Sequence, residues 1–420
     1  MNFVKDYECT LCGRVFPPAP DLFTCPVCGE KGILEIRYDY ERMKETVNPA
    51  YFQTGKDKDR TMWRYLPLLS IRGTEAASTL RVGGTPLYRT DRLAKELGIS
   101  RLYVKDEGVN PTASLKDRAS AVACLHAKEN GKSVLACAST GNAASSLAGN
   151  AARMGMKSVI FVPKRAPLGK LTQLMIFGAT VISVDGDYKD AFRLSREAIA
   201  RYGFYNRNAA INPHLVEGKK TVALEIAEQT GFVVPDWVAV SVGDGCTVAG
   251  VYKGFFDFFS LGLIPRIPKI LGVQSSGCAP FVSAWKENRE LREEEENTIA
   301  DSISVGIPRN PVKAKNAILR SQGAWIAVPD SAILEAMSTL GKTEGIFGEP
   351  AGVTALAGVK QAREEGLIGP SESVVAVMTG NGLKDPANGL KAAGSPVLLK
   401  PDINAFVDYM NHHEIKGVSL

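Results

Sequence analysis

A lysine on the first turn of a helix, just past a strand, is placed to act as a nucleophile. Lys116 stands in the run Asn110-Pro111-Thr112-Ala113-Ser114-Leu115-Lys116-Asp117-Arg118. The β-branched and aromatic segment Leu102-Tyr103-Val104-Lys105 precedes it, and a helical stretch from Asp117 to about Asn130 follows. The positive end of the helix dipole and any burial both disfavour an ammonium, so the amine becomes available near neutral pH. With no Ser/His pair beside it, such an amine points to Schiff-base chemistry, for which pyridoxal phosphate is the usual partner. A single lysine of this kind is most often just a surface residue at a helix start, so its company decides.

Three loops supply that company, each after a predicted strand, where open α/β sheets bind ligands. Ala138-Ser139-Thr140-Gly141-Asn142-Ala143 offers hydroxyls and helix N-terminal N–H groups suited to a carboxylate, and in Asn142 an amide for a phenolic ring oxygen. Plain helix capping explains the same residue types equally well. Gly243-Asp244-Gly245-Cys246-Thr247 opens an apolar helix and suits a phosphate, provided the Asp244 carboxylate turns away or pairs with a cation such as Lys253. Thr379-Gly380-Asn381-Gly382-Leu383-Lys384-Asp385 is either a glycine-rich turn or the place where a threonine hydroxyl meets a pyridine nitrogen. An oxygen partner of that kind leaves the nitrogen largely unprotonated and favours elimination and replacement over transamination.

Cys9, Cys12, Cys25 and Cys28 form C-x2-C, a 12-residue spacer and a second C-x2-C, with Gly13 and Gly29 after each pair. Four thiolates so spaced suit a closed structural zinc site; free thiols or a redox pair are the alternative. Cys124, Cys137, Cys246 and Cys278 show no pairing and read as small core or loop residues.

The elements that must position these groups alternate from about residue 83 to 385. Strands are expected at Ser133–Cys137, Lys157–Val162, Thr180–Val184, Trp237–Val242, Lys269–Val273, Ala324–Val328 and Ser373–Met378. They are short and mostly apolar, as parallel strands covered on both faces are. Helices are expected at 143–154, 169–178, 188–202, 217–230, 248–262, 330–341 and 351–365. The fold class is α/β. The division expected is a ribbon at 1–38, a helical arm or linker at 39–82, a catalytic body at 83–400 with a smaller subdomain at about 119–221 inserted in it, and a tail at 401–420. The charge run from Lys286 to Glu296 reads as a solvated face.

A formal charge of +5 in 420 residues, with 45% apolar and 23% charged residues, gives no reason to expect nucleic acid or an acidic membrane. The first residues lack the apolar core of a signal peptide, and no apolar run reaches a membrane span, so a cytoplasmic protein is expected. None of His126, His214, His412 and His413 has metal-ligand spacing.

The constellation resembles the fold-type II pyridoxal phosphate enzymes of the tryptophan synthase β-subunit superfamily, and within them the threonine synthase family, over roughly residues 30 to 390. The runs that carry the resemblance are Gly83–Leu87, Asn110–Arg118, Ala136–Asn142, Leu168–Leu171, Glu344–Ala351 and Thr379–Asp385. It implies two parallel-sheet α/β domains with the cofactor between them, a homodimer, and a small amino-acid substrate. Lys116 would carry the cofactor and act as the catalytic base. Asn142 would touch the ring oxygen, Gly243 to Thr247 would hold the cofactor phosphate, Thr379 would meet the ring nitrogen, and Ser139 and Thr140 would hold the substrate carboxylate. The implied reaction is O-phosphohomoserine and water to threonine and phosphate.

The departures are specific. The family's usual Gly-Ser-Phe before Lys-Asp-Arg is Ala113-Ser114-Leu115, and its usual Gly-Asn-x-Gly-Asn phosphate loop is Gly243–Thr247. Where the family resembles Asn-Ser-x-Asn-Pro-x-Arg-Leu-Glu-Gly, this chain has Ala209-Ala210-Ile211-Asn212-Pro213-His214-Leu215-Val216-Glu217-Gly218. Ala210 and Leu215 thus replace a serine and an arginine that contact substrate phosphate, a loss worth about 1.5–3 kcal/mol. Either Lys164, Arg165 or Lys219 takes over, or the substrate differs. The alternatives are a serine/threonine ammonia-lyase, a β-replacement enzyme on an activated serine, or a non-catalytic binding module with this fold.

Overall fold

The computed structural model describes residues 3–54, 59–73, 75–166 and 168–412. In chain order the strands are β1 (Val4–Cys9), β2 (Val15–Phe16), β3 (Thr24–Cys25), β4 (Gly29–Tyr38), β5 (Leu87–Arg89), β6 (Arg101–Asp106) and β7 (Val134–Ala138). Then come β8 (Lys157–Pro163), β9 (Thr180–Val184), β10 (Tyr205–Asn206), β11 (Trp237–Ser241), β12 (Lys269–Ser275), β13 (Ala324–Val328) and β14 (Ser373–Met378). They make three sheets: an N-terminal one of order β2-β1-β4-β3, a four-stranded one of order β10-β7-β8-β9, and a six-stranded one of order β13-β12-β11-β14-β6-β5.

Sequence pattern explains the pairing. Trp237-Val238-Ala239-Val240-Ser241 and Ser373–Met378 are buried at every position, as central parallel strands must be. They run parallel with Val238 opposite Val375. Alternate residues feed two apolar layers: Val238 and Val240 join the layer with Val248, Val251 and Phe255, while Trp237 and Ala239 join that with Val353, Ala357 and Val359. The short edge strand β5 is antiparallel to β6, and β10 adds two residues beside β7.

Two glycines set how closely the helices pack. A Cβ on Gly218 would lie 2.3 Å from the Arg118 carbonyl oxygen, and one on Gly254 would lie 2.4 Å from that of Lys220. The helices Lys116–Glu129, His214–Gln229 and Cys246–Ser260 therefore meet backbone to backbone. That contact brings the first turns of all three together.

The N-terminal sheet docks on the last two of these helices. Tyr38 donates to Glu217 and Tyr40 to Asp257, both at 2.6 Å, and Glu35 pairs with Lys313 at 3.0 Å. The described part of 39–82, expected as a helical arm or linker, carries short helical segments (Tyr40–Lys44, Pro49–Thr54, Met62–Leu68 and Ala76–Ser78). Pro67 lacks the donor a longer helix needs, and Tyr65 leaves helical geometry. The charge run continues past the helix Pro280–Lys286 as irregular chain, and the tail carries a helix at Ile403–His412. His413 lies outside the described residues.

Candidate active site

The loop before Lys116 is built to be rigid. The Asp117 carboxylate accepts from the Thr112 N–H at 2.7 Å, the Thr112 hydroxyl at 2.8 Å and Asn150 Nδ2 at 2.9 Å. The Leu115 N–H donates to the Thr379 carbonyl and the Asn381 N–H to that of Ala113, which ties the loop to the exit of β14. Ala113 takes a left-handed φ of +67° there.

One residue further, the Arg118 guanidinium is fully buried between Glu107 and Glu225, at 2.7 Å from each. Lys105 joins Glu225 at 2.8 Å, Gly84 N–H donates to Glu225, and the Thr85 hydroxyl donates to Glu107. Burial alone would raise the Glu225 carboxyl, but Arg118 and Lys105 hold it down at about 2. The runs Gly83–Leu87 and Asp117-Arg118 are thus the frame that fixes the Lys116 helix against its neighbours.

Lys116 is half-buried, and its amine is pushed down to about 8, first by desolvation and then by Lys219 and Arg207, with Glu349 pulling the other way. The sequence pointed to burial and the helix dipole; the two neighbouring cations come from packing. Arg207 is buried, and its Nε and Nη2 donate to Ser120 Oγ at 3.1 and 3.0 Å, one turn beyond Lys116 on the same helix. Lys219 is buried beside Cys246, with no side-chain hydrogen bond or ion pair among the described residues. Burial lowers both groups below their usual range.

Asn142 heads the helix after β7 and donates from Nδ2 to Glu349 Oε1 at 2.7 Å. Glu349 is buried and its carboxyl is pushed up to about 7, chiefly by burial, with Lys384 and Lys116 opposing. A Cβ on Gly380 would sit 2.2 Å from Glu349 Oε1, so a side chain there would displace the Glu349 carboxylate. Thr379, at the end of β14, is buried alongside. Ser139 accepts from the Gly141 N–H at 3.2 Å, and Ser139 and Thr140 are half-buried at the same helix start. Lys384 donates to Ser145 and Gln173, both at 2.9 Å.

The second loop closes tightly. Gly245 has φ +86°, and a Cβ there would lie 2.7 Å from Ala314 Cβ; one on Gly243 would lie 2.9 Å from Ile303 Cα. Cys246 is the buried first residue of the helix, with Thr247 half-buried beside it. Asp244 does not pair with Lys253, as the sequence suggested. It accepts from the Arg309 N–H at 3.2 Å and faces the Arg309 guanidinium at 3.7 Å. Lys253 lies two turns along the helix, on the face toward the N-terminal sheet, and meets Asp257 and Glu35.

The departures near position 210 have distinct fates. Ala210 packs with Cys246 and Ala249 at φ +69°. Leu215 is buried in the apolar cluster of Leu125, Leu135 and Tyr205. Lys164 and Arg165 are exposed, and Lys164 pairs with Asp185 at 3.0 Å. Of the three substitute cations considered, Lys219 alone is buried beside Lys116.

The four N-terminal cysteines converge: their sulfurs all lie within 4.8 Å of one another, with Cys12 and Cys25 at 3.8 Å. Gly13 and Gly29 have φ of +68° and +62°, the permissive turns the spacing implied. The other four cysteines are buried and unpaired.

Sequence reasoning missed Glu349, Arg207 and Ser302, which lies 3.5 Å from Asn142 Nδ2. Glu349 lay inside a run noted for its resemblance, and the Glu-Pro step at a helix start was its only signal. Arg207 and Ser302 carried none.

The sequence matches the family described as "Pyridoxal-phosphate dependent enzyme" over residues 78–380. The threonine synthase of Methanocaldococcus jannaschii is 41% identical over 400 residues, covering 94% of this chain and 97% of that one. That of Methanosarcina acetivorans is 38% identical, covering 95% and 96%. Among solved structures, the processed form of threonine deaminase isoform 2 from Solanum lycopersicum superposes with a TM-score of 0.66 at 22% identity, covering 80% of this chain and 96% of that one. Maize serine racemase gives 0.61 at 22%, covering 78% and 94%. Structures at these identities share the fold.

Proposed function

Because this chain belongs to the pyridoxal-phosphate dependent enzyme family, and within it to the threonine synthase group, we propose that it converts O-phosphohomoserine and water to threonine and phosphate. The observation that carries the reading is the half-buried Lys116, its amine at about 8, set among Asn142, Glu349 and the glycine-walled start of the helix Cys246–Ser260.

The residues fit pyridoxal phosphate. Among the described residues the buried Ser114 hydroxyl has no partner, and Gly243 and Gly245 let the chain turn tightly into a helix N-terminus. Lys116 would hold the cofactor's aldehyde carbon, Asn142 its ring oxygen, Thr379 its ring nitrogen, and Gly243, Asp244, Gly245, Cys246 and Thr247 its phosphate. Bound there, the cofactor supplies a sink for the electron pair left when a proton leaves the amino acid's α-carbon. The Lys116 amine takes that proton, because a group at about 8 is partly neutral near pH 7. Glu349, at about 7, carries a proton that it can exchange with the lysine. Ser139, Thr140 and the N–H groups that start the Asn142 helix hold the substrate carboxylate.

The cysteine cluster supports a structural zinc site: tetrahedral Zn–S bonds of about 2.3 Å put sulfurs about 3.8 Å apart, the Cys12–Cys25 separation. We place the cofactor between the lobe of about 119–221 and the rest of the body, in a cytoplasmic homodimer. Free cysteines throughout support that compartment. Among the described residues no helix is long and apolar enough to cross a membrane.

A second reading, β-replacement on an activated serine or deamination of serine or threonine, is favoured by Ala210 and by the core-facing Leu215. Cofactor-loaded enzyme given O-phosphohomoserine tests the choice. The account expects threonine and phosphate in equal amounts. Neither product, with turnover on serine, threonine or an O-activated serine, replaces it with the second reading.

A further inference from the structure

The site holds more buried positive charge than its own acids balance. Lys219 and Arg207 are buried, both lower the Lys116 amine, and Arg207 lowers Lys219 as well. Glu349, the acid that acts on Lys116, is itself pushed up to about 7, and Asp244 is already engaged by Arg309. Buried cations without a counter-charge are expensive, and a protein keeps them where an anion arrives. One such anion is the cofactor phosphate, for which the turn Gly243–Thr247 already offers a helix N-terminus. That leaves cations to spare.

Their position is informative. Lys219 follows Leu215 by one helical turn, and Arg207 precedes Ala210 by three residues. The positive charge missing at 215 therefore reappears one turn further on and across the loop. Glycine makes the move workable: a Cβ on Gly250 would lie 3.0 Å from Lys219 Cβ, so the lysine stem runs against the helix that begins at Cys246. Arg207 is aimed by Ser120, itself bonded to Ser146, while its Nη1 makes no hydrogen bond among the described residues.

We infer that Lys219 and Arg207 form the subsite for the phosphate monoester of the substrate in this chain. The inference rests on the proposed reading that the substrate is a phosphorylated amino acid, and names the residues that select it. Both are specificity-determining groups: they grip the leaving phosphate while Lys116 handles the α-proton.

Inorganic phosphate titrated into holoenzyme by calorimetry, with Lys219→Gln, Lys219→Arg and Arg207→Gln beside the unaltered protein, tests it. The cofactor's visible absorbance and affinity are followed in parallel. Expected is phosphate binding that competes with O-phosphohomoserine. K219Q and R207Q each weaken that binding and raise the KM for the phosphorylated substrate by about tenfold, with cofactor affinity unchanged, and K219R restores both. In phosphate-free buffer neither Gln variant should melt lower than the parent, because each removes an unpaired buried charge; both should lose the parent's phosphate-dependent rise in Tm. Unchanged phosphate binding in both Gln variants overturns the inference. So does loss of cofactor affinity, which would assign the cations to the cofactor phosphate instead. If the parent binds phosphate through these residues yet turns over O-phosphoserine and not O-phosphohomoserine, the subsite stands and the threonine synthase reading falls.

Discussion

Asn142 Nδ2 donates to Glu349 Oε1 at 2.7 Å, joining the first helix after β7 to the start of the helix packed on the six-stranded sheet. The bond crosses between the four-stranded and six-stranded sheets beside Lys116. It sets an acid pushed up to about 7 near an amine pushed down to about 8, each acting on the other's ionisation.

That acid gives the cofactor-free protein a pH signature. Burial, the main cause, raises Glu349 from 4.5 to about 7, so the unfolded chain loses this proton first. Stability is fully present below about 4.5 and falls as pH rises to about 7. Glu349→Gln removes the titration. Urea unfolding across this range should show E349Q gaining on the parent as pH rises, and parallel curves would refute the assignment.

Ala113 occupies a left-handed conformation at φ +67°, where an L side chain is strained. Ala113→Gly should stabilise the protein by about 1 kcal/mol, with the Lys116 loop unmoved. Chemical denaturation reads the change; a destabilised variant would mean that the methyl group packs usefully enough to outweigh the strain.

Much of this arrangement was legible in the sequence for local reasons. Ala324–Val328 and Ser373–Met378 are short apolar runs with β-branched residues, and they form strands with the bounds expected. Lys116 and Asn142 each open a helix directly after a strand or loop with recognisable residues. The four cysteines carry their spacing with them. The rest depends on residues far apart in the chain. Asp244 finds Arg309, 65 positions away, because the loop around Asn310 folds over Gly245. Lys219 reaches Lys116 because Gly218 lets two helices touch, and Arg207 because β10 runs beside β7 and Ser120 holds its guanidinium. β10 has two residues, too few to show a period.

The N-terminal sheet depends on Gly32. A Cβ there would lie 2.5 Å from Cys25 Cβ, 2.7 Å from Cys28 Cβ and 3.3 Å from Cys9 Sγ. Gly32→Ala should therefore lower zinc content well below one per chain, as mass spectrometry under native conditions would show. Full zinc occupancy in that variant would count against the cluster as the metal site.

The Arg118 network should be costly to break from one side. Glu225→Ala leaves Arg118 and Lys105 buried with part of their counter-charge gone, and a loss of about 3–5 kcal/mol is expected. Equilibrium unfolding measures it. A change below about 1 kcal/mol would mean that Glu107 alone neutralises both.

The central claim is that Lys116 carries the cofactor, and the buried Lys219 stands beside it as the natural rival. Reduction of cofactor-loaded protein with borohydride, followed by peptide mapping, decides between them. The account predicts one pyridoxyl-modified peptide, with the modification on Lys116. Modification of Lys219, or of neither residue, would contradict it.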